Sequence, residues 1–229
     1  MKKFKRIRVS QDEPVIAIRD NRFYFNSTMS KIAELKDKKF VRYYLDDKKM
    51  EIGFEFLSEK EDGHCYRLGK ESNKKNNFRS SAAELISRYP RIKRIHNSRD
   101  NELKKYVATK AGNLWSIKLR PCFENFVNRK DTDNLANDLT GIYRYLNSSD
   151  EIVYIGQGNI KKRGKAQERR EWAFDKIEYS LIEKEDARFY WESYWIEKYK
   201  ERNNGKLPYY NLLSGRTILN SHMKMNMKN

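Results

Sequence analysis

The chain has 229 residues, enough for one large hydrophobic core or two small ones, and carries 49 Lys and Arg against 32 Asp and Glu, a net charge of +17. Such an excess points to a polyanion, most simply nucleic acid. No apolar run is long enough to cross a membrane and no amphipathic segment carries a clean basic face, so no membrane partner is expected.

The opening MKKFKRIRVSQDEP has the cations of a secretion signal without its apolar core, so none is read there. Cys65 and Cys122 lie far apart, with no CxxC pair and no neighbouring His pair. This spacing fits a reducing cytoplasm and does not fit a structural zinc site.

Residues 15 to 68 read mainly as β: VIAI, RFYFN, KFVRYYL, MEIGFEFL and CYRL are short β-branched or aromatic runs between turn formers. A helix near Thr28 to Leu35 interrupts them. GKESNKKNNFRS (69 to 80) has no hydrophobic period and reads as a mobile loop. Ser80 or Ser81 is placed to cap a helix over AAELISRY, which Pro90 should end. RIKRI, LKKYVAT and LWSIKLRP read as strands.

The polar run ENFVNRKDTDNLANDL suggests a domain boundary near 128 to 138, dividing a β-rich basic domain (1–138) from a second domain (139–216) and a disordered tail (217–229). Of the charges, 32 basic and 20 acidic residues lie in 1–138, against 17 and 12 in 139–229. Most of the charge suited to a polyanion is therefore in the first domain.

In the second domain, GIYRYL and EIVYIG flank the turn NSSD and predict an antiparallel hairpin. Alternation sets Tyr143 and Tyr145 on one face of their strand and Ile152, Tyr154 and Gly156 on one face of the other. Pairing can bring the tyrosines together, with Gly156 leaving room for a ligand. The segment QGNIKKRGKAQERREWAF then carries Lys161, Lys162, Arg163, Lys165, Arg169 and Arg170 on an expected helix beside the tyrosines, a favourable phosphate site. DKIEYSLI alternates as a third strand, and EDARFYWESYWIEKYKERNN reads as a long helix. The order is β-β-α-β-α, within an α+β fold. Glu192 has Phe189, Trp195 and Ile196 at helical spacing and Arg188 as its charged neighbour, so it lies on or beside the buried stripe.

These elements resemble the GIY-YIG nucleases, over roughly residues 140–215: GIY at 141–143, YIG at 154–156, Arg163, Glu192 and Asn211 in order. The resemblance implies a three-stranded antiparallel sheet with flanking helices. It also implies hydrolysis of double-stranded DNA by an endonuclease using Mg²⁺ or Mn²⁺, of restriction or mobile-element type; on a palindromic site, symmetry would have it act as a homodimer or as sequential monomers. By the same resemblance Glu192 is the metal ligand and Tyr143 accepts a proton from, or orients, the attacking water, its pKa lowered by the Lys161 to Arg163 cluster. Arg163 contacts the phosphate and Tyr154 supports it, Asn211 braces the site, and Gly156, Lys161, Lys162, Lys165 and Arg169 meet the substrate. Gln167 stands where family members often carry a proton-transfer residue.

The first half also resembles the swapped-hairpin barrels of AbrB-type DNA-binding proteins, which implies a second reading: a non-catalytic DNA-binding regulator retaining a nuclease-like module. His64, His96 and His222 lie outside the matched module and are expected to face solvent. Glu102-Leu103-Lys104 has the E-x-K form of another nuclease class but lacks an upstream Pro-Asp partner.

Overall fold

The computed structural model describes residues 12–213 apart from 48, 62 and 72–75. The expected tail and His222 lie outside the described residues. The fold is α+β, with every strand pairing antiparallel. The chain divides into two compact units between Arg120 and Pro121.

The first unit contains strands β1 (Val15–Arg19), β2 (Arg22–Phe25), β3 (Phe40–Asp46), β4 (Glu51–Leu57), β5 (Cys65–Arg67), β6 (Gly69–Lys70), β7 (Phe78–Ser81), β8 (Lys105–Val107), β9 (Thr109–Ala111) and β10 (Leu114–Lys118). Its helices are α1 (Ser27–Ile32), α2 (Ala83–Arg88) and α3 (Pro90–Asn97). Two five-stranded sheets result, ordered β6-β7-β2-β1-β8 and β5-β3-β4-β10-β9. Alternating aromatics join them: Phe23 and Phe25 of one sheet meet Phe54 of the other edge to face, with ring centroids 5.0 and 5.9 Å apart.

Several elements differ from expectation. The expected loop at 69–80 carries two paired strands, β6 and β7. α1 starts at an Asn26 cap, whose Oδ1 accepts the Met29 N–H at 2.8 Å, and stops at Ile32, a 3-10 turn over Leu35–Asp37 following. α2 has Ala82 at its cap position, with the Ser81 hydroxyl accepting the Ala83 N–H at 3.5 Å. RIKRI is not a strand. Pro90, its φ already helical, starts α3 as well as following α2, and Ile92 and Ile95 at i, i+3 face the core. His96 is half-buried rather than fully exposed, because its Nε2 accepts the Asn21 N–H at 3.2 Å.

The second unit contains β11 (Asn125–Asn128), β12 (Thr140–Leu146), β13 (Ile152–Asn159), α4 (Ile160–Gly164), β14 (Lys176–Leu181), α5 (Glu185–Arg202) and α6 (Tyr209–Leu213). From residue 139 the order β-β-α-β-α is the expected one, followed by the short α6. The sheet has four strands, not three, ordered β11-β14-β12-β13. β11 comes from the stretch read as leading into a linker, and it pairs with β14 from Asn125 opposite Tyr179 to Asn128 opposite Lys176.

The boundary therefore falls before the expected one. Polar composition concealed an edge strand and a staple: the Arg129 guanidinium donates to the carbonyls of Trp172 at 2.6 Å, Arg170 at 2.8 Å and Arg169 at 3.3 Å. Arg129 satisfies carbonyls of the irregular 169–174 segment that no helix or sheet would.

Candidate active site

The hairpin register sets Tyr143 opposite Gly156 and Tyr145 opposite Tyr154. Since side chains alternate, Tyr143, Tyr145, Tyr154 and Gly156 share one face of the sheet. The Tyr143 and Tyr145 rings stack at 5.3 Å, Tyr154 lies 5.4 Å from Tyr145, and Phe174 closes the cluster at 4.1 Å from Tyr145. Gly156 is needed here for packing rather than for a ligand. A Cβ at this position would stand 2.6 Å from Tyr154 Cε1 and 2.8 Å from the Tyr143 hydroxyl, so the two rings fill the expected room. Gly141 is tighter still, since its Cβ would stand 1.9 Å from the Ser180 carbonyl oxygen on β14.

Arg169 organises this cluster. Its Nη1 donates to the hydroxyls of Tyr143 at 3.0 Å and Tyr145 at 2.8 Å, and its Nη2 to that of Tyr154 at 3.4 Å. The guanidinium also lies over the Tyr154 ring, 4.7 Å from its centroid. Arg169 is only 5% exposed, so it is a buried hub rather than the surface substrate contact expected.

The expectation of a depressed Tyr143 pKa is also reversed. Tyr143 is 1% exposed, and burial pushes its hydroxyl well above the ordinary phenol range; the nearby Tyr145 and Tyr154 hydroxyls reinforce the rise, and Arg169 offsets only part of it. The cation at the hydroxyl is Arg169, not the Lys161 to Arg163 cluster. A neutral, buried phenol that already accepts a hydrogen bond is a poor proton acceptor for water.

Tyr145 is pushed up to about 12, again chiefly by burial. A phenol whose folded pKa exceeds its unfolded value of about 10 contributes stability fully below that pH and loses it as pH rises through the folded value. Alkaline titration of tyrosinate absorbance is therefore expected to contain a late limb near pH 12, coincident with unfolding. Tyr145→Phe should remove amplitude from that limb; unchanged amplitude would refute the assignment.

The expected long cationic helix is only α4. Asn159 caps it, Oδ1 accepting the Lys162 N–H at 2.8 Å, and it ends at Gly164, where a Cβ would stand 2.9 Å from Ile177 Cδ1 and 3.0 Å from Thr132 Cγ2. A separate 3-10 turn, Gln167–Arg169, then carries Arg169 inward, while Gln167 is exposed. Lys161 Nζ donates to the Leu135 carbonyl at 2.8 Å. Lys165 pairs with Asp133, whose carboxyl this partner holds below the usual range, and Lys162 is exposed. Arg163 is half-buried; its carbonyl accepts the Tyr145 hydroxyl at 2.8 Å, and its side chain runs beside Gly158, with Nε 3.7 Å from where a Cβ would stand.

α5 packs on β13 and β12 from the other face. Its Arg188 Nε donates to Gln157 Oε1 at 3.3 Å, and a cavity of about 440 Å³ on that face is lined by Arg144, Val153, Ile155, Trp195 and Tyr199. All four sheet residues in these contacts alternate with the tyrosines. Glu192 is half-buried, one turn after Arg188 and one before Trp195. It therefore stands on the face opposite the tyrosine rings.

Asn211 makes a two-way bond to the backbone of Ile155: its Oδ1 accepts the N–H at 2.8 Å and its Nδ2 donates to the C=O at 2.8 Å. It acts like a neighbouring strand, covering the free edge of β13.

Two of these contacts meet at the end of β13, while the tyrosine rings, Asn211 at Ile155 and Glu192 on α5 are not brought together there. Arg163 reaches Gly158 from the tyrosine face, and α5 approaches the adjacent Gln157 from the other, bringing Arg188, which composition alone did not mark. Among the described residues no group of three or more His, Cys, Asp or Glu is placed to hold a metal. One carboxylate, here Glu192, is nevertheless enough for Mg²⁺, which keeps most of its water shell and takes one or two carboxylates together with substrate phosphate.

No family model matches the sequence, and no curated protein or solved structure matches it either. No helix among the described residues is long and apolar enough to cross a membrane.

Proposed function

We propose that the chain is a Mg²⁺-dependent endonuclease that hydrolyses phosphodiester bonds of double-stranded DNA through its second unit, of restriction or mobile-element type. The observation that carries this reading is the meeting of Arg163 and α5 at the Gln157–Gly158 end of the tyrosine hairpin. Arg163 meets the non-bridging phosphate oxygens with a planar fork, offsetting charge that develops as water attacks phosphorus and the sugar oxygen leaves. Glu192 and the phosphate would hold the cation, which supplies Lewis-acid polarisation of the phosphoryl oxygen.

Tyr143 and Tyr154 act differently from the first expectation. Sealed by Arg169, they fix the hairpin that carries Gln157 and leads into α4 with Arg163, and the proton that the attacking water loses passes through solvent to the departing sugar oxygen. Asn211 keeps the β13 edge in register.

The same sealing favours a second reading, the non-catalytic DNA-binding regulator of the AbrB type, because a structural tyrosine cluster needs no chemistry to explain it. Conversion of supercoiled plasmid to nicked and linear forms with Mg²⁺ or with EDTA separates the two. Mg²⁺-dependent conversion is expected. Tight plasmid binding without cleavage in Mg²⁺ or Mn²⁺ would leave the regulator as the better reading.

A further inference from the structure

The first unit carries more of the charge, and its helices do not spread it evenly. No acidic residue lies between Glu84 and Asp100, a stretch holding Arg88, Arg91, Lys93, Arg94 and Arg99. α3 sorts these residues by face. Arg91, Ile92 and Ile95 are buried, whereas Lys93, Arg94 and Asn97 are exposed, with Arg99 exposed just beyond the helix.

α3 is also held firmly against the sheet. The β1–β2 turn places Asp20 and Asn21 at φ 49 and 57, the left-handed pair that a tight hairpin requires, and this presents the Asn21 N–H to His96 Nε2 at 3.2 Å. His96 Nδ1 and Asn97 Oδ1 lie 2.8 Å apart. The hairpin tip next to α3 ends in exposed Arg22. A rigid helix with cations on its outer face, anchored through its inner face, has the charge complementarity of a phosphate-backbone contact.

We infer that the exposed face of α3, with Lys93, Arg94 and Arg99, is a surface through which the first unit grips the phosphate backbone of duplex DNA. The inference rests on the proposed DNA reading and adds where the duplex is held. Contacts of this kind set affinity and salt dependence and read no sequence.

The test is fluorescence-anisotropy binding of a labelled DNA duplex in EDTA, so that no cleavage intervenes, over about 50 to 200 mM salt. The full-length triple variant Lys93→Ala, Arg94→Ala, Arg99→Ala is compared with wild type. A second triple variant, Lys31→Ala, Lys36→Ala, Lys39→Ala, removes the same charge from exposed positions elsewhere in the unit. Losing three phosphate contacts should flatten the slope of log K against log salt by about 2 to 3 and weaken binding roughly 10-fold or more, with the control triple close to wild type.

Equal effects of the two triples, or a wild-type slope in the α3 variant, would overturn the inference while wild-type plasmid cleavage left the endonuclease reading standing. Wild type that neither binds nor cleaves duplex DNA would remove both. An α3-dependent slope on duplex RNA but not on DNA would overturn the DNA assignment.

Discussion

Replacing Arg169 with methionine is expected to destabilise the second unit by about 3 to 4 kcal/mol, while Arg170→Met one residue away changes stability by less than about 0.5 kcal/mol. Methionine retains the apolar stem of Arg169, so the difference reports the guanidinium. Removing it takes the donor from the buried hydroxyls of Tyr143, Tyr145 and Tyr154 at once. A buried polar group left unsatisfied costs about 1 to 3 kcal/mol. The Tyr145 hydroxyl still donates to the Arg163 carbonyl, which keeps the total below three full penalties.

Arg170 is exposed, and its carbonyl, which the substitution leaves in place, is what Arg129 uses. Urea unfolding followed by Trp172, Trp191 and Trp195 fluorescence measures the difference. A loss for Arg169→Met within 1 kcal/mol of that for Arg170→Met would show that the hub is not needed for the fold. It would return Arg169 to a surface role, where its removal should instead flatten the salt dependence of DNA binding.

This case also marks where the sequence was readable. The hairpin was legible because two short β runs with a turn between them leave few registers, and alternation then fixes that Tyr143, Tyr145, Tyr154 and Gly156 share a face. α5 was legible from length and period. The position of Arg169 was not, because a run of cations reads as one solvated helix, and the sequence gives no direct sign that Gly164 is hemmed in by Ile177 and Thr132, which ends α4. Burial of a guanidinium depends on hydroxyls supplied by two other strands, a tertiary fact without local signature.

The same holds for β11, whose polar residues suit an edge strand as well as a linker. For α3 the signal was present but outweighed: Pro90 and the three-residue spacing of Ile92 and Ile95 favour a helix over the strand that isolated RIKRI suggests. Asn211 was legible as a brace but not its manner of bracing, since pairing with Ile155 requires α6 to return to the edge of β13.

Glu192→Gln is expected to lower plasmid cleavage at saturating DNA by about 10³-fold, or roughly 4 kcal/mol, without weakening DNA binding in EDTA more than about 2-fold. Glutamine preserves size and hydrogen-bonding capacity on α5 but removes the negative charge proposed to hold a divalent cation. The defect should therefore narrow as Mg²⁺ or Mn²⁺ is raised. Arg163→Ala provides the contrast: it removes the proposed hydrogen-bond donor to the phosphate and should cost about 10² to 10³ in rate, with the Mg²⁺ dependence retaining its wild-type midpoint.

The two variants separate because their roles divide at the end of β13, Arg163 entering beside Gly158 and Glu192 standing on the helix that contacts Gln157. A Glu192→Gln protein that cuts at the wild-type rate with the wild-type Mg²⁺ midpoint would sink Glu192 as the metal ligand, and the endonuclease reading would then need another carboxylate. If both variants cut as wild type does, the Gln157–Gly158 end of the hairpin is not where the phosphodiester is hydrolysed.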